Sequence, residues 1–313
     1  MGAMGKVAYV FPGQGAQHPG MGRDLYDAYT SAREVFDLAD EVLGFPLTEL
    51  CFEGDEAELT ETQNAQPALL TMSMACLVAA REEQDGAFPC AAYAAGHSLG
   101  EYSALCAANA LEFPAALRLA RRRGELMAEA GRARPGSMAA VIGASDEVVA
   151  EAARENGVYV ANYNCPGQVA ISGDAEVMDA ARRNIKGMRD RGVKLVLPMQ
   201  VSGAFHSPLM APAAAGLERA LDQADFRDPH VPVVGNTAAQ VISTADEARD
   251  ELKAQLTSSV QWTRSVQAMV ADGVDTFIEI GAGTVLKGLI ARIDPSVRVI
   301  NVGGVEDVRS FGI

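Results

Sequence analysis

"AAGHSLGEYSAL" (residues 94–105) carries a serine between two glycines, where an apolar run passes into a helical pattern. Ser98 is either a nucleophile raised on a strand-to-helix corner or part of an ordinary turn in a glycine-rich chain. The G-x-S-x-G pentad alone does not decide, because 30 Gly and 15 Ser in 313 residues produce one by chance about one time in seven. The decision rests on what surrounds it. "AAYAAG" (91–96) is expected to be a buried strand, and "LGEYSALCAANA" (99–110) the helix leaving it. "KVAYVF" (6–11), stopped by "PGQG", reads as a second buried strand entering a tight turn. "VPVVGN" (231–236) and "TFIEIG" (276–281) follow the same strand-then-glycine rule. Helical patterns lie at 22–43, 67–84 and 112–130. Strands alternating with helices imply a mostly parallel sheet covered on both faces.

The middle of the chain has a different rhythm. "MAAVIG" (138–143), a helix over 145–156 with Ser145 as N-cap, a hairpin of 158–163 and 168–173 around "NCPG", a helix over 175–189 and a strand over 193–200 follow one another. That order, β-α-β-β-α-β, is the ferredoxin-like unit. The expected architecture is α/β: a large hydrolase-like domain formed by 4–133 and 203–313, interrupted by a ferredoxin-like α+β insert at 134–202. Residues 1–3, ahead of a second Met, are given no role.

Composition narrows the function. With 26 basic against 41 acidic residues the net charge is −15, which argues against nucleic acid or an anionic membrane as partner. Five cysteines, odd in number and without a C-x-x-C spacing, suggest free buried thiols in a reducing cytosol rather than disulfides. No leader is expected, because the first strand begins at once, and Thr62 to Ala80 is too polar to span a bilayer.

A serine nucleophile needs a base and an oxyanion site. The N–H of Leu99, next after Ser98, is one oxyanion donor; the Gln14 backbone in "FPGQGAQ" (11–17) is the expected second, because that turn ends a neighbouring parallel strand. Of the four histidines, His97 lies inside the elbow with its ring expected to point away from the crevice, and His18 and His230 lie in loops. His206, in "SGAFHSPLM", is therefore the candidate base. No carboxylate between Ser98 and His206 is well placed for a hydrolase triad, so a Ser-His dyad oriented by a main-chain carbonyl fits better. Four arginines (118, 121, 122, 123) crowd one helix, and one of them should face inward, where it could pair with a carboxylate on an acyl group.

"VFPGQGAQ", "TQNAQPAL", "GHSLGEYSAL", "RRRGELM", "ANYNCPGQVAISG", "VSGAFHSPLM" and "SVQWTRSV" occur in an order and spacing that resemble the malonyl-CoA:acyl carrier protein transacylases, from about residue 6 to 305. The resemblance implies Ser98 as nucleophile, His206 as base, and Arg123 as partner of the malonyl carboxylate. It implies the Gln14 and Leu99 amides as oxyanion hole, Gln261 as the residue whose carbonyl holds the histidine, and Asn162 and Asn164 near the coenzyme A channel. Leu99 and Phe205 look like the malonyl-selective pattern. "GAG" (281–283) replaces the usual G-P-G, and Leu195 stands where a second basic residue is common. The resemblance implies malonyl-CoA as substrate and acyl carrier protein as partner, with fatty acid and polyketide synthesis both open; a cytoplasmic monomer with no bound cofactor or metal is the expectation. Residues 181–194 hold six basic residues against Asp190 alone, and Arg182, Arg183, Lys186 and Lys194 are the expected carrier-docking groups. The competing classes are a serine esterase or thioesterase, which shares the elbow, and a non-catalytic carrier-binding scaffold, which needs none of these groups.

Overall fold

The computed structural model describes residues 5–201 and 203–311; residues 1–3 lie outside this range. The described chain is mixed α/β, with its strands in two sheets. The larger sheet contains β1 (Lys6–Phe11), β2 (Tyr93–Gly96), β7 (Val233–Val234), β8 (Val241–Ile242), β9 (Val274–Ile280) and β10 (Arg298–Val302), in the order β10-β9-β1-β2-β7-β8. All pairs are parallel except β7 with β8. β1 sits near the centre and is buried on both faces from Val7 to Phe11, which is why it reads as an unbroken apolar run.

The smaller sheet is antiparallel: β3 (Gly136–Ile142), β4 (Tyr159–Cys165), β5 (Gln168–Asp174) and β6 (Leu195–Pro198), ordered β4-β5-β3-β6. The helices Asp146–Glu155 and Ala175–Gly187 cover one face, with a separate apolar core of Val141, Val149, Ile171, Ile185 and others. Ser145 caps the first of these helices by accepting from the Val148 amide.

Several elements differ from expectation. The helix expected over 22–43 breaks into Arg23–Ala28 and Thr30–Leu43, because Tyr29 is extended (φ −124°, ψ 127°). The helix expected from Pro67 begins at Thr62 and runs to Glu83 with Pro67 inside it. Proline cannot bond the carbonyl four residues back, that of Gln63, and Arg121 Nη1 takes that carbonyl instead at 3.2 Å. β7 has only two residues where six were expected, and β6 four where eight were. Cys51, Cys76, Cys106 and Cys165 are buried and free; Cys90 is exposed. No helix among the described residues is long and apolar enough to cross a membrane.

Candidate active site

The register of β1 against β2 pairs Phe11 with Gly96, so both strands end at the same level. The His97 amide donates to the Phe11 carbonyl at 3.0 Å, which puts the "PGQG" turn directly beside the elbow. Ser98 has φ +52°, a left-handed conformation unusual for a residue with a side chain. A Cβ on Gly100 would lie 2.1 Å from the Phe11 carbonyl oxygen, so the helix can start this close to β1 only with glycine there. These constraints, more than the pentad itself, make the corner a built feature.

Ser98 Oγ lies 2.8 Å from His206 Nε2 and 3.0 Å from Arg123 Nη2. His206 (4% exposed) also has positive φ, +55°. Its Nδ1 meets the main-chain carbonyls of Gln255 (3.1 Å) and Ser258 (3.2 Å). Carbonyls only accept, so Nδ1 carries the proton and Nε2 is left bare to accept from the serine hydroxyl. The Gln255 carbonyl belongs to the last residue of the Ala245–Gln255 helix, where the helix dipole favours nearby positive charge, and that of Ser258 to the loop that follows. The resemblance had assigned this contact to Gln261, and that is corrected. The Gln261 carbonyl is already used, accepting from the Ser265 amide and hydroxyl at the start of the Trp262–Ala271 helix.

Burial, and then the Arg123 charge, push His206 down from its ordinary value of 6.5 to about 3. A base held neutral so far into acid should give an acylation rate that is flat between pH 5.5 and 8; a limb near 6.5 in a single-turnover pH profile would contradict this geometry. The same depression affects stability. Below 6.5 the unfolded chain binds a proton that the native state refuses, so this contribution is complete above pH 6.5. It is lost toward pH 3, at up to about 1.4 kcal/mol per pH unit.

Arg123 is the inward arginine of its cluster, 1% exposed, on the Phe113–Ala133 helix. Besides Ser98 it donates to Gln66 Oε1 (2.7 Å) and Gln255 Oε1 (2.8 Å), while its Nε is buried with no partner among the described residues. Gly124 lets the Thr62–Glu83 helix approach, since a Cβ there would lie 2.6 Å from the Gln63 Cα, and this brings Gln66 to the guanidinium. The other three arginines are engaged elsewhere: Arg121 pairs with Glu125 and bonds the Gln63 carbonyl and Asn64 Oδ1, Arg122 pairs with Glu125 and Glu129, and Arg118 bonds a carbonyl of its own helix.

The amides of Gln14 and Leu99 donate to no protein acceptor among the described residues. The Gln14 side chain is anchored on Thr62 Oγ1 at 3.1 Å, which holds the turn. Asn162 and Asn164 are buried around His97 rather than against Ser98: Asn164 Oδ1 lies 2.9 Å from His97 Nε2, and Asn162 Nδ2 3.4 Å from it. Phe205 is 5% exposed, in the main core beside His206 in sequence. Of the six basic residues at 182–194, Arg182 pairs with Asp179 and Arg191 with Glu151 and Glu155, so the local excess expected from sequence is smaller. Arg183, Lys186 and Lys194 are exposed. A recess of about 820 Å³, lined by Phe45, Glu49, Glu53, Glu58, Glu61 and Arg121 among others, includes none of these catalytic candidates.

Sequence reasoning missed Gln66, Glu101, Asn236 and Gln255. Asn236 accepts the Ser98 amide at 2.7 Å, and Gln255 donates to the Ser98 carbonyl at 2.9 Å. Gln66 stood in the quoted "TQNAQPAL" without a role, and Glu101 stood inside the elbow itself.

A hydroxyl between a bare imidazole nitrogen and a buried guanidinium, on a strained corner with two open amides nearby, is the equipment of enzymes that move acyl groups through a serine ester. The acyl transferase domain family matches residues 8–310. A malonyl CoA-acyl carrier protein transacylase of Bacillus subtilis (strain 168) is 46% identical over 310 residues, covering 97% of this chain and 96% of that protein. Among solved structures, an acyl carrier protein S-malonyltransferase from Vibrio cholerae superposes with TM-score 0.91 at 39% identity, covering 97% and 98% of the two chains. A type II PKS acyl-carrier protein in complex with its malonyl-transacylase gives TM-score 0.91 at 38% identity, covering 97% of each chain. The chain belongs to the acyl transferase domain family and, within it, to the malonyl CoA-acyl carrier protein transacylases.

Proposed function

We propose that this protein transfers a malonyl group from malonyl-CoA to the phosphopantetheine thiol of an acyl carrier protein through a malonyl ester on Ser98. The observation that carries the reading is Arg123, a buried guanidinium 3.0 Å from Ser98 Oγ with its Nε unpartnered. The acyl group's free carboxylate satisfies such a cation, and an uncharged acyl group does not. His206 Nε2 takes the hydroxyl proton as Oγ attacks the thioester carbonyl. The Gln14 and Leu99 amides receive the oxyanion, and coenzyme A leaves as its thiol with the proton from His206. The carrier's thiol then attacks the ester, giving its proton to His206, which returns it to Ser98. Both halves share one site, so ping-pong kinetics follow. Leu99 and Phe205 limit room beside the acyl carbon, which disfavours an α-methyl branch by about 1–3 kcal/mol. Asn162, whose buried Oδ1 has no partner, and Asn164 border the coenzyme A channel.

The reading includes a hydrolase-like domain of 4–133 and 203–313 with a ferredoxin-like insert at 134–202, supported by the strand order of the smaller sheet and its separate core. It also includes a cytoplasmic monomer that needs no cofactor. The test is intact mass: malonyl-CoA should leave a malonyl adduct, and holo-carrier should discharge it. Steady release of malonate without carrier would instead mark a thioesterase.

The carrier docks on the insert through Arg183, Lys186 and Lys194, with Arg182 contributing less because Asp179 already holds it. Reversing Arg183, Lys186 and Lys194 to Glu should raise the carrier KM about tenfold and leave acylation by malonyl-CoA unchanged. An unchanged KM would remove the patch from the docking surface.

A further inference from the structure

Glu101 is three residues past the nucleophile, in the first turn of the Gly100–Ala107 helix, and it is completely buried. An acid at that position usually faces water, where it complements the helix dipole. Here it faces inward, and its hydrogen-bond partners among the described residues are all donors. Its Oε1 accepts from the Asn236 main-chain amide (2.8 Å) and from Asn236 Nδ2 (3.0 Å), and its Oε2 accepts from Gln255 Nε2.

Both side chains it holds are primary amides, which have a donor end and an acceptor end. On Asn236, Glu101 and the Gly96 carbonyl take Nδ2, so Oδ1 faces the Ser98 amide. On Gln255, Glu101 and the Ser98 carbonyl take Nε2, so Oε1 faces Arg123 Nη2 at 2.8 Å. One acceptor-only group therefore backs both the nucleophile's corner and the cation beside it. Burial, and then the Glu251 charge, push the Glu101 carboxyl well above the usual carboxylate range, and the donors of Asn236 and Gln255 oppose that shift by favouring the ionised form. Its charge supports that of Arg123, whose hydrogen-bond partners among the described residues are all neutral.

We propose that Glu101 is a positioning residue for malonyl selectivity: through Gln255 it aims an acceptor at Arg123, and through Asn236 it fixes the main chain of Ser98. The inference rests on Arg123 as the carboxylate partner. Glu101→Gln tests it without changing side-chain size. A glutamine there keeps its oxygen for the two Asn236 donors and turns its NH₂ toward Gln255 Nε2, a donor against a donor. Gln255 is then displaced and Arg123 loses its acceptor.

The readout is the ratio of malonyl-CoA to acetyl-CoA acylation rates, with melting temperature measured alongside. The ratio should fall about tenfold in Glu101→Gln, as expected for losing one hydrogen bond to a charged group. Gln255→Ala, which keeps the main-chain carbonyl that holds His206, should lower it by a similar factor. The double variant should lose no more than Gln255→Ala alone, because the effect passes through that side chain. A merely structural role would lower the melting temperature and both rates together, leaving the ratio intact, and that result overturns the proposal. Should Glu101→Gln fail to fold, an unchanged ratio in Gln255→Ala overturns it equally. Arg123→Ala in the same assay separates the two readings. A collapsed ratio there with an intact one in Glu101→Gln and Gln255→Ala sinks only the role of Glu101, whereas an intact ratio in Arg123→Ala sinks both.

Discussion

Ser98→Ala is expected to abolish the acyl-enzyme and to lower malonyl transfer by about 10⁴–10⁶-fold, the range seen when a serine nucleophile is deleted. His206 Nε2 and Arg123 Nη2 converge on the single oxygen that this change removes. The fold should survive. The Ser98 contacts that shape the corner are main-chain ones, its amide to Asn236 and its carbonyl to Gln255, and alanine keeps both. Alanine also accepts the positive φ no less readily than serine, so the melting temperature should stay within a few degrees. Intact mass after mixing with malonyl-CoA checks the claim directly: an adduct on the wild type and none on the variant. An adduct retained by Ser98→Ala would place the nucleophile elsewhere and end the Ser98 account.

What the sequence disclosed and what it hid divide along a physical line. The corner was legible because glycines, an apolar run and a helix start are all local signals, and β1 was legible because burial on both faces leaves a continuous apolar stretch. His206 could be reached by elimination among four histidines. The amides that complete the site have no such signature: Gln66, Asn236 and Gln255 are neutral residues far apart in the chain, and only the packing of three segments gives them a role. Gln261 and Gln255 show the limit most clearly. Both are glutamines at an end of a helix, six residues apart, and which carbonyl meets His206 depends on how the turn between the two helices is placed, with the Gln255 carbonyl facing the imidazole and that of Gln261 turned into its own helix. Glu101 escaped for a different reason. An acid in a helix's first turn is normally a surface residue, and nothing local in the sequence marks this one as facing inward. The basic run at 182–194 was overcounted because the acids that pair with Arg191, Glu151 and Glu155, lie on another helix.

Arg123→Ala should separate substrates rather than disable the enzyme. The guanidinium offers a malonyl carboxylate two charge-assisted hydrogen bonds of about 1.5–3 kcal/mol each, so losing them should lower malonyl acylation by about 10²–10⁴-fold. Acetyl-CoA presents no carboxylate, yet its acylation should not be wholly spared. Arg123 also donates to Ser98 Oγ, and Gln66 and Gln255 would be left facing a cavity with their oxygens unpaired. A loss of tenfold or less with the acetyl donor is the expected result, so the ratio of the two rates, not either rate alone, carries the information. Lysine at this position would restore a charge but not the fork, because a single ammonium cannot donate to Gln66, Gln255 and a carboxylate in one plane; Arg123→Lys should recover only part of the ratio. Equal losses with both donors would mean that the guanidinium serves the serine alone, and the origin of malonyl selectivity would then have to lie in the room beside Leu99 and Phe205.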